Sequence, residues 1–289
     1  MQKQPNYRLK MSPINLLEEF PFTVTDIYVQ GDKDITDLHI HGMLELGYCY
    51  EGTGIFVVEN KVLPFNKGDI SVISSSEMHL AQSTQGTTSR WRWIYFDIKR
   101  LLFPIFQDSK LVDTAPFAGP DFKNIVKANE NPKLCQLLFE LIETFLKKED
   151  FYKNEIKSLL CLFITELHRI TKDNTPANET KYESDTLERI QKAIVYITNN
   201  YHQPVKLEEL ASLCHLSPNH FRRLFKQAIG KSPIQYLNHV RITMASTNLL
   251  HSKKPIGMIA HDCGFYSISS FNRQFKAQTG ISPREYQVQ

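Results

Sequence analysis

The chain has 289 residues, 42% hydrophobic and 22% charged, with a formal net charge of +3, the make-up of an ordinary two-domain globular protein. No apolar run approaches the ~20 residues of a membrane span, Met1-Gln2-Lys3-Gln4-Pro5 opens without a signal-peptide core, and five cysteines without a C-x-x-C pair fit reduced thiols, so a cytoplasmic protein with no membrane partner is expected. The charge is divided unevenly: 185–289 holds 13 basic and 6 acidic residues, hence +7, against −4 in 1–184, which points to a polyanion as partner of the C-terminal part.

Residues 1–20 read as an irregular lead-in. From Phe22 to Ile98, short apolar or alternating runs are broken by Gly, Asn, Asp and Ser, and Glu59-Asn60-Lys61 reads as a hairpin turn. Such repetition over about 80 residues predicts a small barrel or sandwich. Within it, His39-Ile40-His41 precedes Glu45, and Gly68-Asp69 opens a strand that leads to His79. Positions 39, 41 and 45 share parity, so on one continuous strand their side chains face one way. Trp91, Trp93 and Tyr95 alternate along another strand. Core packing is the plainer role for at least one of them; a stacking wall for a sugar or other ring is the functional one. Arg90 and Arg92 have the opposite parity and would favour an anionic effector if they faced inward.

At Pro132 the period changes. Leu134, Leu137, Leu138, Leu141, Ile142, Phe145 and Leu146, then Ile156, Leu159, Leu160, Phe163, Ile164 and Leu167, recur at three- and four-residue steps, the mark of two amphipathic helices. The polar, proline-containing stretch 171–180 reads as a linker. Asp185 followed by Glu188 gives a capping box for the next helix.

Beyond it the chain copies itself. Ala211, Cys214, Phe221, Arg223, Phe225, Lys226, Gly230 and Ser232-Pro233 return as Ala260, Cys263, Phe271, Arg273, Phe275, Lys276, Gly280 and Ser282-Pro283, at an offset of 49 before the turn and 50 after it. Each copy is a short apolar helix, a tight turn and a second helix with cations among apolar positions: a helix-turn-helix used twice. Lys206 stands where a Ser or Thr cap belongs, Ser217-Pro218 is a better helix start, and Ser232-Pro233 opens a helix through about His251. At 1.5 Å per residue that spacer spans roughly 28 Å, close to the ~34 Å between successive major-groove faces. The second turn has Gly264, which adopts a left-handed conformation without cost; the first has His215. Phe221, Leu224 and Phe225, and Phe271 and Phe275, take the inward positions. Asn219, Arg222, Arg223, Lys226, Ser269, Asn272, Arg273 and Lys276 are left outside. Arg pairs with guanine and Asn with adenine through two hydrogen bonds each.

The doubled unit resembles the DNA-binding domain of the AraC/XylS transcription regulators, most closely over Ile259-Ala260, Cys263-Gly264-Phe265, Ser270-Phe271, Arg273, Phe275-Lys276, Gly280 and Ser282-Pro283. The resemblance implies base-edge contacts by Asn219, Arg222, Arg223, Ser269, Asn272 and Arg273; Lys226 and Lys276 suit phosphate contacts. The spacing of His39, His41, Glu45, Gly52, Gly68-Asp69 and His79 is similar to the two motifs of the cupin barrel, the usual effector domain of these regulators. Three His and one Glu would suit Zn, Fe or Mn. Where metal cupins carry Pro and Gly before the last His, this chain has Ser74 and Ser76.

The expected fold is α+β and multidomain: a cupin-like β-barrel over 1–110, a helical dimerisation region over 111–170, a linker over 171–184 and an all-α domain with two helix-turn-helix motifs over 185–289. The expected function is DNA-binding transcriptional regulation, as an activator, by a homodimer that contacts double-stranded DNA and RNA polymerase. A sugar or related metabolite is the expected effector, held by His39, His41, Glu45, His79, Trp91, Trp93 and Tyr95, with no cofactor and no catalytic residue. Two alternatives stand: a metal-dependent cupin enzyme fused to a DNA-binding domain, with His39, His41, Glu45 and His79 on the ion, and an effector-independent dimeric DNA-binding protein. There is no P-loop, dinucleotide loop or Gly-x-Ser-x-Gly elbow to support an NTPase or hydrolase.

Overall fold

The computed structural model describes residues 10–11, 14, 16–32, 38–75, 77–171 and 181–288, and of 10, 11, 181–185, 188 and 251 the backbone alone. Among the described residues the N-terminal half has eleven strands: β1 (Lys10–Met11), β2 (Phe22–Val24), β3 (Tyr28–Gln30), β4 (His39–Ile40), β5 (Glu45–Glu51), β6 (Thr53–Val58), β7 (Lys61–Asn66), β8 (Ile70–Ile73), β9 (His79–Ser83), β10 (Ser89–Phe96) and β11 (Ile125–Val126). They form two sheets, ordered β1-β4-β9-β6-β7 and β11-β8-β5-β10-β2, with β3 also on β10. Among the described residues no ladder joins the sheets, so the barrel is open. Cys49, Phe56, Val58, Phe65, Ile73, Ala81, Trp91 and Ile125 fill the space between them. The hairpin expected at Glu59 joins β6 to β7.

Helix α1 (Ile98–Phe106) lies within the stretch read as barrel. Asp97 caps it by accepting from the Arg100 N–H, and Ile98, Leu101 and Leu102 are buried. Helices α2 (Pro132–Lys147) and α3 (Tyr152–Ile170) fall where the leucine period places them. Their leucine faces share one apolar cluster with Leu46, Val72, Ile94 and Phe96 on the outer face of the second sheet. β11 pairs with β8, which carries the sheet past residue 110.

Of the expected linker, 172–180 lie outside the described residues, as does Ser76. Helix α4 (Lys181–Asn200) already runs through Asp185, so the helix does not start there; the side chains of Asp185 and Glu188 are not described. The rest is α5 (Leu207–Leu213), α6 (Pro218–Ile229), α7 (Pro233–His251), α8 (Ile256–Asp262), α9 (Ile268–Thr279) and α10 (Pro283–Gln287).

Helix α7 is enclosed on all sides: residues 241–247 are buried without a break. A helix covered all round must have two partners. One is the helical bundle. The other is the outer face of the first sheet, where Ile55, Val57, Val62 and Leu80 join the same apolar cluster as Val240, Met244 and Ala245.

Candidate functional site

The two helix-turn-helix units have the same local construction. In the first, the Leu216 N–H reaches back to the Ala211 carbonyl at 2.9 Å; in the second, the Phe265 N–H reaches the Ala260 carbonyl at 3.0 Å. Both turns need a left-handed residue: Gly264 has φ +84 and His215 has φ +56. His215 therefore accepts backbone strain that Gly264 does not. Ser232 and Ser282 each close a capping box, with Gln235 and Glu285. Ser267 caps α9, whereas Lys206 and Ser217 occupy cap positions without a side-chain bond.

Burial sets which side of each second helix is left for a partner. Phe221, Phe225, Phe271 and Phe275 are fully buried. Phe225 meets Tyr236 edge-on at 5.6 Å and Phe275 meets Tyr286 at 5.3 Å. These tyrosines are 50 residues apart, so the repeat runs further than the sequence comparison carried it. Asn219, Arg222, Arg223 and Lys226 on α6, and Ser269, Asn272, Arg273 and Lys276 on α9, are all exposed. The ion pairs found among the described residues include none of the cations in that set.

Arg241 on α7 had no part in the sequence reading. It is buried, donates from Nε to the Tyr201 carbonyl at 2.7 Å and from Nη2 to the Gln203 carbonyl at 2.9 Å, and lies over the Phe265 ring. It ties the end of α4 to the spacer helix and to the second turn.

In the open barrel the polar residues come together as two cross-strand pairs. His39 pairs with His79 across β4 and β9; Glu45 pairs with Tyr95 across β5 and β10 in the other sheet. His41 stands in the segment that crosses between the sheets. The strand is thus not continuous from 39 to 45; the bend at 42–43 brings the three side chains together, not shared parity. Glu45 is buried and accepts from His41 Nε2 at 2.8 Å and from the Tyr95 hydroxyl at 2.9 Å, and His79 Nε2 lies 3.5 Å away. Burial alone would raise the Glu45 pKa, but the charge of His79 and hydrogen bonds from His41 and His79 outweigh it and hold the carboxyl well below the usual range. Burial likewise acts to lower the His79 pKa, yet the Glu45 carboxylate leaves it raised.

The aromatic row divides in two. Trp91 is fully buried, packs edge-on against Phe56 and Phe65, and directs its indole N–H to Ser89 Oγ; this is core packing. Trp93 stacks on it at 5.1 Å and keeps partial exposure. The ring of Trp93 lies over Gly47, where a Cβ would come within 2.2 Å of it. Arg92 faces away from the interior and donates to the Thr25 carbonyl. Arg90 lies 3.7 Å from Glu51, with both side chains exposed, so neither arginine of this strand is the inward one that an anionic effector would favour.

Two family models match the chain: an AraC-like ligand binding domain over 24–164 and a helix-turn-helix domain over 210–289. The HTH-type transcriptional activator RhaR of Escherichia coli O139:H28 is 25% identical over 269 residues, 91% of this chain and 90% of its own. The lactose operon transcription activator of Staphylococcus xylosus is 24% identical over 236 residues, 82% of this chain and 80% of its own. The probable transcriptional regulator LumQ of Photobacterium leiognathi is 32% identical over 108 residues, 44% of its length. Among solved structures, ToxT from Vibrio cholerae O395 covers 93% of this chain at 15% identity with a TM-score of 0.38. With a ligand-binding β domain ahead of a doubled helix-turn-helix, the chain belongs to the AraC family of transcriptional regulators.

Proposed function

We propose that this regulator activates transcription as a homodimer, reads duplex DNA with α6 and α9, works with RNA polymerase, and answers to a sugar or related metabolite held in the open barrel. The observation that carries the DNA reading is the shared polarity of α6 and α9. Each hides two phenylalanines and presents Asn, Arg and Lys or Ser, Asn, Arg and Lys outward. Arginine and asparagine suit base edges, lysine suits phosphates. The name of the lactose operon activator supports a sugar as effector. In the barrel, Trp93 supplies a ring face beside the hydrogen-bonding set of His39, His41, Glu45, His79 and Tyr95. For dimerisation, the leucine stripes of α2 and α3 are covered by the barrel except at Leu146, which with Leu162 and Ile170 of α3 is exposed as apolar contact for a second copy. The domain division proposed is 1–110 for effector, 111–170 for dimerisation, 171–184 as linker and 185–289 for DNA.

A gel-shift series tests the DNA reading. Arg223→Ala or Arg273→Ala should relax base preference within one half of the site and cost ~1–3 kcal/mol there. Unchanged affinity and preference in both variants would refute it. A thermal-shift screen of sugars and organic acids tests the effector, since a ligand of the native state raises its Tm.

A further inference from the structure

Four of the described helices start directly after a serine, and three of these start on proline: Ser217-Pro218, Ser232-Pro233 and Ser282-Pro283. Helix α9 departs from the pattern, because Ser267 is followed by Ile268. Proline is favoured as the first residue of a helix, since its fixed φ suits the turn and its missing N–H would have no partner there. Isoleucine brings no such benefit, and its branched side chain loses rotamer freedom in a helix. Packing does not account for it either. Ile268 is 46% exposed, whereas Phe271 and Phe275 of the same helix are buried.

The second unit is also one residue longer than the first between its turn and its second helix. Leu216 and Phe265 make the same backbone bond, and Ser217 and Ser267 hold the same cap position, so Tyr266 is the added residue. It is 79% exposed. A lone exposed apolar residue is ordinary, but here two flank one cap, at the end of a helix that presents cations. Ile268 shares one open surface groove with Asn272, Arg273 and Lys276. Ile268, Asn272 and Lys276 follow at four-residue steps, hence on one face of α9. Their counterparts on α6 are Pro218, Arg222 and Lys226.

Isoleucine has no donor or acceptor, so at a base edge it makes only an apolar contact. Among the four bases the major groove offers one group for that, the 5-methyl of thymine. The first residues of a helix laid in the groove are the ones that reach base edges. We propose that Ile268 is a specificity-determining residue that packs against the 5-methyl group of a thymine in the half of the site read by α9. The contact rests on the reading of α6 and α9 as DNA-contacting helices and refines it. It makes the two units unequal, the second adding a methyl contact to the hydrogen bonds of Asn272 and Arg273.

The full chain first selects a duplex from a random-sequence pool. Each thymine of that duplex is then replaced singly by uracil, which removes the methyl and keeps the base pair. In gel shifts, at least one replacement should weaken wild-type binding about fourfold, the effect of one buried methyl-sized group. Ile268→Ala, folded because the position is exposed, should bind the thymine and uracil forms of that duplex alike. Ile268→Val keeps a branched apolar side chain and should still tell them apart. A wild type indifferent to every replacement overturns the proposal without recourse to a variant. So does an Ile268→Ala chain that responds to each replacement as wild type does; if that chain also lowers transcript from the promoter, the side chain faces a protein instead. The two readings fail differently: a pool with no enriched duplex removes the DNA reading and this contact with it, whereas an enriched duplex without a methyl effect removes the contact alone.

Discussion

His215 and Gly264 show how far one residue can be understood from its place in a repeat. Both stand in the same left-handed turn, and the sequence already set His against Gly without deciding the backbone. His215→Gly should raise stability by up to ~1 kcal/mol in urea melts, because relief of the left-handed strain exceeds the added unfolded-chain entropy of glycine. At Gly264 a Cβ would stand 2.7 Å from the Tyr201 carbonyl oxygen and 3.0 Å from the Arg241 guanidinium. Gly264→Ala should therefore cost about 1–3 kcal/mol. Glu59 gives a pH signature. Burial first, and the neighbouring Glu77 carboxylate after it, push its pKa up to about 7, against the Met78 N–H, Lys61 and His79, which act to lower it. The folded state thus holds a proton that the unfolded chain releases near 4.5, and stability falls as pH rises through that window. Glu59→Gln should have a higher Tm than wild type at pH 8, with the difference shrinking as pH falls through about 7 to 4.5 and gone only below that window. The left-handed Gly264 was legible in its turn; the strain at His215 and the burial of Glu59 were not, since burial and carbonyl positions are products of the fold.

At the scale of elements, legibility followed periodicity. The doubled helix pair, the leucine helices and the 19-residue spacer have patterns long enough to read. The two-residue β11 and nine-residue α1 with Pro104 inside it do not. The polar barrel residues were found through their spacing, yet two sheets and a bend bring them together where one strand had been expected to. In α9, Phe271→Ala should cost about 3–5 kcal/mol of stability, the usual toll for a buried aromatic, seen as a lowered urea midpoint. Lys276→Ala should leave stability nearly unchanged and reduce the salt slope of DNA binding by about one.

In the whole molecule, the spacer helix that joins the two helix-turn-helix units also lies against the sheet that carries His79. β9 pairs with β6, and the outer faces of β6 and β7 rest on α7. A ligand that moves β9 therefore acts on the surface under α7, and a ligand can shift DNA binding by as much as it discriminates between two such arrangements. The sequence could not show this contact, although the run of apolar and small residues over 242–247 was a sign that α7 has a second partner. Val62→Asp sets a charge in that contact; calorimetry should then resolve two transitions where the wild type has one. The most direct test of the account is a footprint of the full chain on its promoter, with Arg223→Ala and Arg273→Ala beside it. Two protected major-groove segments about one helical turn apart, each weakened by its own variant, are predicted. One protected segment, or two that ignore both substitutions, would contradict it.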